Sequence, residues 1–444
     1  MERRDYLILA GITAVIVAVG AVVTTKPLGV FLVDGTTRAV STTLTMAWVT
    51  WWALVVGFAI AGGVEAWVPS EAVAENLDGY GPRELGLGAF FGFVSSSCSY
   101  SAIATAKNLF KKGASAGASL GAFMFASTNL VVEIGFVMWL LLGWQFVLAD
   151  FAGGLVLILL LAGAFRYLVS DELIETARRN VADESETVRD PNCGMDVDPD
   201  ETDYSKTVDG RTYYFCSESC MTGWDPAEAD TTIREQLTSV AGWTALADKQ
   251  VKEWDMLWDE IALGFVFAGL VAGFVPNAVW QALFTGPAFG LPIYVLWTAI
   301  LGAVIGIVTF VCSVGNVPFG AILWTQGLPF GGVLSYIYAD LVIPPIVEAY
   351  TEYYGTTFAL VLSSLIFVAA VVTGVLMQFL FGTLGLIPPR SAAHVATMSV
   401  QLDYKAVLNV AATLLFALLY WLHTTSRFEE TTGHGGGRSR PAND

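Results

Sequence analysis

Histidine is nearly absent from this chain: there are three in 444 residues, and none between residues 171 and 260, where charge is concentrated. An imidazole-based centre therefore has nothing to draw on in that stretch. Charge itself is sparse at 14%, and the 22 Lys and Arg are outnumbered by 40 Asp and Glu, giving a net charge of −18 that argues against a nucleic-acid partner. Of these, 23 acidic and 8 basic side chains lie between Asp171 and Glu260, so the remainder is close to neutral. An acidic surface confined to one segment suits a high-salt cytoplasm. Cysteine is scarce too. Cys98 and Cys312 sit in apolar runs and Cys193, Cys216 and Cys220 in the acidic segment, a distribution that excludes a secreted disulfide framework and makes reduced thiols the default. No Gly-rich loop ending in Lys-Ser or Lys-Thr occurs, which excludes nucleotide hydrolysis by that route and leaves an ion gradient or a partner as the energy source.

What is abundant is apolar surface: 55% hydrophobic residues, 13% aromatic, and a mean hydropathy of +0.61. A bilayer core takes about 20 such residues per helix. Ten runs qualify, at 6–23, 44–64, 85–106, 115–140, 147–169, 261–283, 291–311, 332–350, 357–382 and 407–423. The expected fold is an all-α polytopic membrane protein of about ten transmembrane helices in two halves, 1–170 and 257–426. Between them lie linkers at 171–187 and 231–256 and a small α+β cysteine-bearing domain at 188–230, with a low-complexity, disordered tail at 427–444. Met1 to Val23 reads as an uncleaved first helix. With ten spans, the asymmetry of Lys and Arg puts the insert in the cytoplasm and both termini outside, although Arg3 and Arg4 oppose this.

The strongest organising signal is an internal repeat. Gly92, Cys98, Ser99, Gly113 and Gly117 fall on Gly306, Cys312, Ser313, Gly327 and Gly331 with identical spacings. Val68-Pro69 resembles Val275-Pro276, and Glu133 has a loose counterpart in Glu348. A four-helix unit makes the halves parallel; a re-entrant Cys-bearing segment makes them inverted.

The run Ser95-Ser96-Ser97-Cys98-Ser99-Tyr100-Ser101 is small and polar where a lipid-facing helix would carry Leu or Val. The matching stretch, Cys312 to Gly320, contains Asn316 and Pro318, and Pro318 is expected to break or kink its helix. Paired interrupted helices point to a substrate site, here Cys98, Ser99, Cys312, Ser313, Asn316 and Pro318; close packing of small residues is the plain alternative. Two thiols facing one cavity suit a soft ligand. Carboxyls in apolar runs are functional candidates by default. Glu133, Asp340 and Glu348 are the candidates for carrying a coupling proton, while Glu65 and Asp150 are placed near helix ends, with Asn129 and Asn316 as neutral polar neighbours. His394 and His423 receive no role.

In the insert, Asp209-Gly210 signals a hairpin and Thr212 to Phe215 is β-prone. Cys216 and Cys220, four apart, share a face if a helix begins there, and Cys193 could complete a three-thiolate site for zinc, copper(I) or arsenic(III). The block Asp190-Pro191-Asn192-Cys193-Gly194-Met195, with Tyr213-Tyr214-Phe215-Cys216 and Cys220, resembles the YHS-type metal-binding domain. It departs from that pattern where Asp203, Tyr204 and Ser205 stand in place of a histidine. The membrane part, through the duplicated Gly-x5-Cys-Ser segments, resembles the predicted permease family that includes ArsP-type exporters of trivalent organoarsenicals. That resemblance implies a secondary permease rather than an enzyme, acting in the cell membrane on a small metal or metalloid substrate, with Cys98 and Cys312 as its thiols. A thiol-redox or sulfur-handling protein is the alternative, weakened by the lack of Cys-x-x-Cys; a metal-responsive membrane sensor is another.

Overall fold

The structure is a computed structural model. It describes residues 3–24, 26–67, 77, 79–94, 99–182, 188–189, 196–197, 199, 202, 204–208, 211–224, 239–285, 290–309, 313–390 and 404–433. The first half comprises α1 (Arg3–Val23), α2 (Leu28–Trp67), α3 (Pro82–Val94), α4 (Ser99–Lys111), a π-helical turn (Gly117–Phe123) running into α5 (Met124–Asn129), α6 (Val132–Leu141), α7 (Trp144–Tyr167) and α8 (Asp171–Ala182). The insert follows with β1 (Val188–Arg189), β2 (Asp196–Val197), β3 (Ser205–Val208), β4 (Arg211–Tyr214) and α9 (Glu218–Gly223). The second half has α10 (Val240–Phe274), α11 (Asn277–Phe284), α12 (Leu291–Thr309), α13 (Ser313–Gln326), α14 (Phe330–Tyr338) with a 3-10 turn (Ala339–Val342), α15 (Pro344–Tyr354), α16 (Thr356–Thr383) and α17 (Tyr404–Gly433). The chain is thus a polytopic α-helical membrane protein. Among the described residues five helices are long and apolar enough to cross a bilayer, or up to eight when each bent pair counts as one span.

The run expected at 85–106 is not one span. Ser115 N donates to Leu77 O at 2.8 Å and Ser115 Oγ to Gly79 O, so the chain leaves through α3 and is back at its starting level after α4. Each arm has 13 residues, about 20 Å of helix, and the pair forms a re-entrant hairpin. The next segment then runs alongside α3 in the same direction: Gly88 lies against Ala118 O and Gly92 against Phe123 O. The second half repeats this arrangement, with Gly302 against Gly332 O and Gly306 against Tyr336 O, so α12 and α13 are the equivalent arms. Both returning arms end in the same cap. Gly113 (φ +105) and Gly327 (φ +119) adopt the left-handed region, and Ala114 N and Leu328 N reach back to Leu109 O and Leu323 O. These conformations account for the matched glycines in the sequence repeat.

The two halves are inverted. The equivalent helices α2 and α10 pack antiparallel, with Gly62 beside Gln250 and Leu246 at one end and Gly35 beside Gly273 and Phe274 at the other. Likewise Phe165 of α7 stacks on Phe358 of α16, while Gly153 meets Thr373 and Met377. Taking each hairpin as non-crossing, α12 included although it is long enough to cross by itself, removes one span from each half and puts the start of α1 and the end of α17 on the insert's side. Three further spans are bent: 49° between α5 and α6, 43° between the 3-10 turn and α15, and 98° between α10 and α11. Pro318, expected to break its helix, lies inside continuous α13. Its missing N–H costs one bond, to Val314 O, early in the helix, and the packed surroundings keep both sides helical. Helix α8 and the first turns of α10 occupy parts of the stretches read as linkers, and α17 reaches Gly433.

Candidate functional site

The returning arms α4 and α13 begin side by side near the centre of the protein, with Ser99 Oγ 3.1 Å from Ser313 Oγ. These residues occupy the same repeat position, so the contact lies close to the pseudo-twofold axis. Ser313 also donates to Asp340 Oδ2. A serine has one hydroxyl proton, so with Ser313 donating to Asp340 it is Ser99 that donates to Ser313. Asn129 Nδ2 completes the chain by donating to Asp340 Oδ1 at 3.1 Å. Asp340 is 1% exposed and stands in the 3-10 interruption after α14; Asn129 ends α5 at the corresponding interruption of the first half. Two hairpin tips and two broken spans therefore converge on one buried carboxyl. The N-termini of α4 and α13 face it, a placement that favours negative charge there.

Asn316, one turn into α13, accepts a hydrogen bond from Tyr336 OH at 2.7 Å, and its Nδ2 has no partner among the described residues. Asn129 Oδ1 is similarly unmatched. The site thus keeps spare donor and acceptor capacity in a region closed by Phe319, Phe267 and Tyr336, whose rings meet edge to face. Pro318 packs beside Asn316 in the buried part of α13. Cys98 and Cys312 adjoin Ser99 and Ser313 in sequence and lie outside the described residues, as does the side chain of Glu65.

The two glutamates expected as a matched pair differ. Glu133 is 4% exposed, and its Cβ sits where a side chain at Gly57 would stand, 2.4 Å away, wedged between α6 and α2. Glu348 is exposed on α15 and takes no part in the central cluster. A one-turn difference in helix register separates them, because the repeat spacing drifts after the broken spans. The buried carboxyl that sequence reasoning set aside is Asp150 of α7, which is 0% exposed. Its position near a helix end suggested solvent, and only the packing of α14 and α16 over it reveals otherwise.

In the insert, Cys216 and Cys220 bring their sulfurs to 3.6 Å across the start of α9, which Ser217 caps by accepting from Cys220 N at 3.3 Å. The β3–β4 hairpin holds the register Ser205↔Tyr214 through Val208↔Arg211, and Trp224 closes the underside against Tyr213 and Phe215. Cys216 and Cys220 thus share one face, and two sulfurs this close could both ligate a thiophilic ion. Cys193 lies outside the described residues, and among the described residues no group of three or more His, Cys, Asp or Glu gathers as a metal site.

Inverted halves, discontinuous helices and polar side chains meeting between them define a secondary-transporter architecture. Residues 36–379 match the model of a family described as "Predicted permease", ArsP_1, and the chain belongs to that family. It is 37% identical over 349 residues to the Mycobacterium tuberculosis protein named "Putative permease Rv2963", covering 78% of this chain and 77% of that one. No solved structure matches. The protein is a multi-pass membrane permease, not an enzyme.

Proposed function

We propose that this permease exports a soft metal or metalloid compound, such as a trivalent organoarsenical, with Cys98 and Cys312 as the thiols that exchange with it. The observation that carries this reading is the 3.1 Å contact between Ser99 and Ser313, the residues that follow the two cysteines in sequence. Thiols of similar softness let the element pass from one ligand set to another and leave again. Phe319 supplies an apolar wall for an organic substituent, and Asn316 a spare donor. The cytoplasmic insert, with Cys216 and Cys220 paired and Cys193 as a third ligand, captures the same class of ligand, be it zinc, copper(I) or arsenic(III). Of the three buried or membrane carboxyls singled out from sequence, Asp340 alone joins the central cluster, while Glu133 is wedged between helices and Glu348 is exposed.

The test is uptake of a trivalent organoarsenical into inverted vesicles carrying the reconstituted protein. Cys98→Ser with Cys312→Ser keeps volume but hardens the ligands, and should lower transport by about tenfold or more. Full transport by the double variant would overturn the thiol mechanism and leave the permease assignment in place.

A further inference from the structure

Beside Asp340 and Glu133, Asp150 carries a third buried carboxyl, one that nothing in the substrate site uses. Both of its oxygens lack any hydrogen-bond partner among the described residues, and the residue is fully enclosed. Tyr338, two residues before Asp340, turns its hydroxyl onto the backbone of this same turn, donating toward Asp150 O at 3.1 Å and Ala149 O at 3.3 Å. Thr373 Oγ1 of α16, beside Gly153, is another buried oxygen without a partner. Among the described residues, no cation is hydrogen-bonded or ion-paired to the carboxyl of Asp150 or of Asp340. Among the described residues, the helices packed against α7 contribute Glu133 from α6 and Tyr336 and Tyr338 from α14 as titratable groups, and α15, which follows the Asp340 turn, brings carboxyls and tyrosines but no Lys, Arg or His. The π-helical turn, α5 and α16 contribute none, and Arg166 lies at the far end of α7, about 24 Å away along the axis.

Two buried carboxyls without a counter-charge among the described residues are too costly to be ionised together. The two are also unequal. Asp340 receives donors from Ser313 and Asn129, which suit a carboxylate, whereas Asp150 receives none. Its place along the chain adds a direction: Asp150 is six residues from the start of α7, about 9 Å in from the face opposite the insert.

We propose that Asp150 carries the coupling proton, taken up from the side opposite the insert and handed across the interface between the halves as Asp340 changes partners. This rests on the permease reading for its purpose but not for its test. One proton passes from water on the side opposite the insert to one Asp150 oxygen and later returns to water on the insert's side, leaving the carboxylate as it began.

The experiment is infrared difference spectroscopy on the purified full-length protein, without substrate, across a titration from acid to alkaline pH. A carboxylic-acid carbonyl band should persist near neutral pH, survive in Asp340→Asn, and vanish in Asp150→Asn. If no such band exists in the unmodified protein, the proposal is overturned, whether or not Asp150→Asn folds. The same holds if the band remains in Asp150→Asn, or if uptake follows a sodium gradient and ignores pH. In vesicles, Asp150→Asn should cut uptake driven by a pH gradient by about tenfold. Because the band needs no arsenical, its presence alongside failed arsenical uptake would reject the substrate reading and leave this one standing.

Discussion

At the scale of single residues, glycine does in this protein what apolar volume does in a soluble core. A Cβ on Gly302 would lie 2.0 Å from Gly332 O, and one on Gly331 would lie 2.2 Å from Gly374 O, so the arms pack backbone to backbone. Gly302→Ala should therefore destabilise by about 1–3 kcal/mol, the usual cost of overpacking. Gly163, with nothing within 4 Å, is the control, since Ala in an open helical position gains up to about 1 kcal/mol. Thermal unfolding of the two variants in detergent should shift in opposite directions; equal shifts would mean the close approach is not tight. The same scale sets the limit of sequence reading for Asp150. Hydropathy marks α7 as a span but cannot say which of its faces meets lipid and which meets protein, because both are apolar.

At the scale of elements, the hairpins are held by matching cations. Arg178 of α8 donates to Phe110 O and, at 3.1 Å, to Ala114 O at the end of α4, and Arg390 donates to Gly327 O at 2.7 Å at the end of α13. Each arginine satisfies carbonyls left over at a helix C-terminus and opposes its dipole. Asn180 of α8 adds a bond to Tyr354 O, tying the same end of the second half. Losing a charge-assisted bond to backbone costs about 1.5–3 kcal/mol. Arg178→Ala should thus speed amide exchange in α4 by roughly tenfold or more, with α13 unaffected, and Arg390→Ala should do the reverse. Arg178→Lys should restore little, since one ammonium cannot reproduce two divergent donors. The repeat that locates these elements was legible because Gly113 and Gly327 need positive φ and Gly92 and Gly306 need close approach, constraints that survive duplication. Their re-entrant course was not, since 22 apolar residues fit one span as well as two short arms. Only the Ser-rich stretch hinted otherwise. The polar centre was legible in Ser99, Ser313, Asn316 and Asp340, whereas the partnership of Asn129 with Asp340 depends on two spans breaking at one depth.

At the scale of the whole molecule, inversion redistributes the charges in a way that ten separate spans did not. Following the chain through α2, the first hairpin, the bent span and α7 places Arg83, Lys107, Lys111, Lys112, Arg166, Arg178 and Arg179 on the insert's face, with Lys249 and Lys252 at the start of α10. The opposite face receives Lys26, Arg38, Arg390 and Lys405. Helix α1 ends against Phe274, at that opposite face, so its start brings Arg3 and Arg4 round to the insert, and they cease to contradict the rest. Lys and Arg concentrate on cytoplasmic faces, so the insert and both termini are expected inside. A membrane-impermeant maleimide added to intact cells should leave Cys216 and Cys220 unlabelled, and should also miss a cysteine introduced as Ser426→Cys near the end of α17. A cysteine introduced as Lys26→Cys, between α1 and α2, should react. Labelling at residue 426 together with residue 26 would mean that a hairpin spans the membrane after all and would undo the inverted arrangement. Labelling of Cys216 and Cys220 without residue 26 would keep the inversion but reverse its orientation, and with it the expected direction of export.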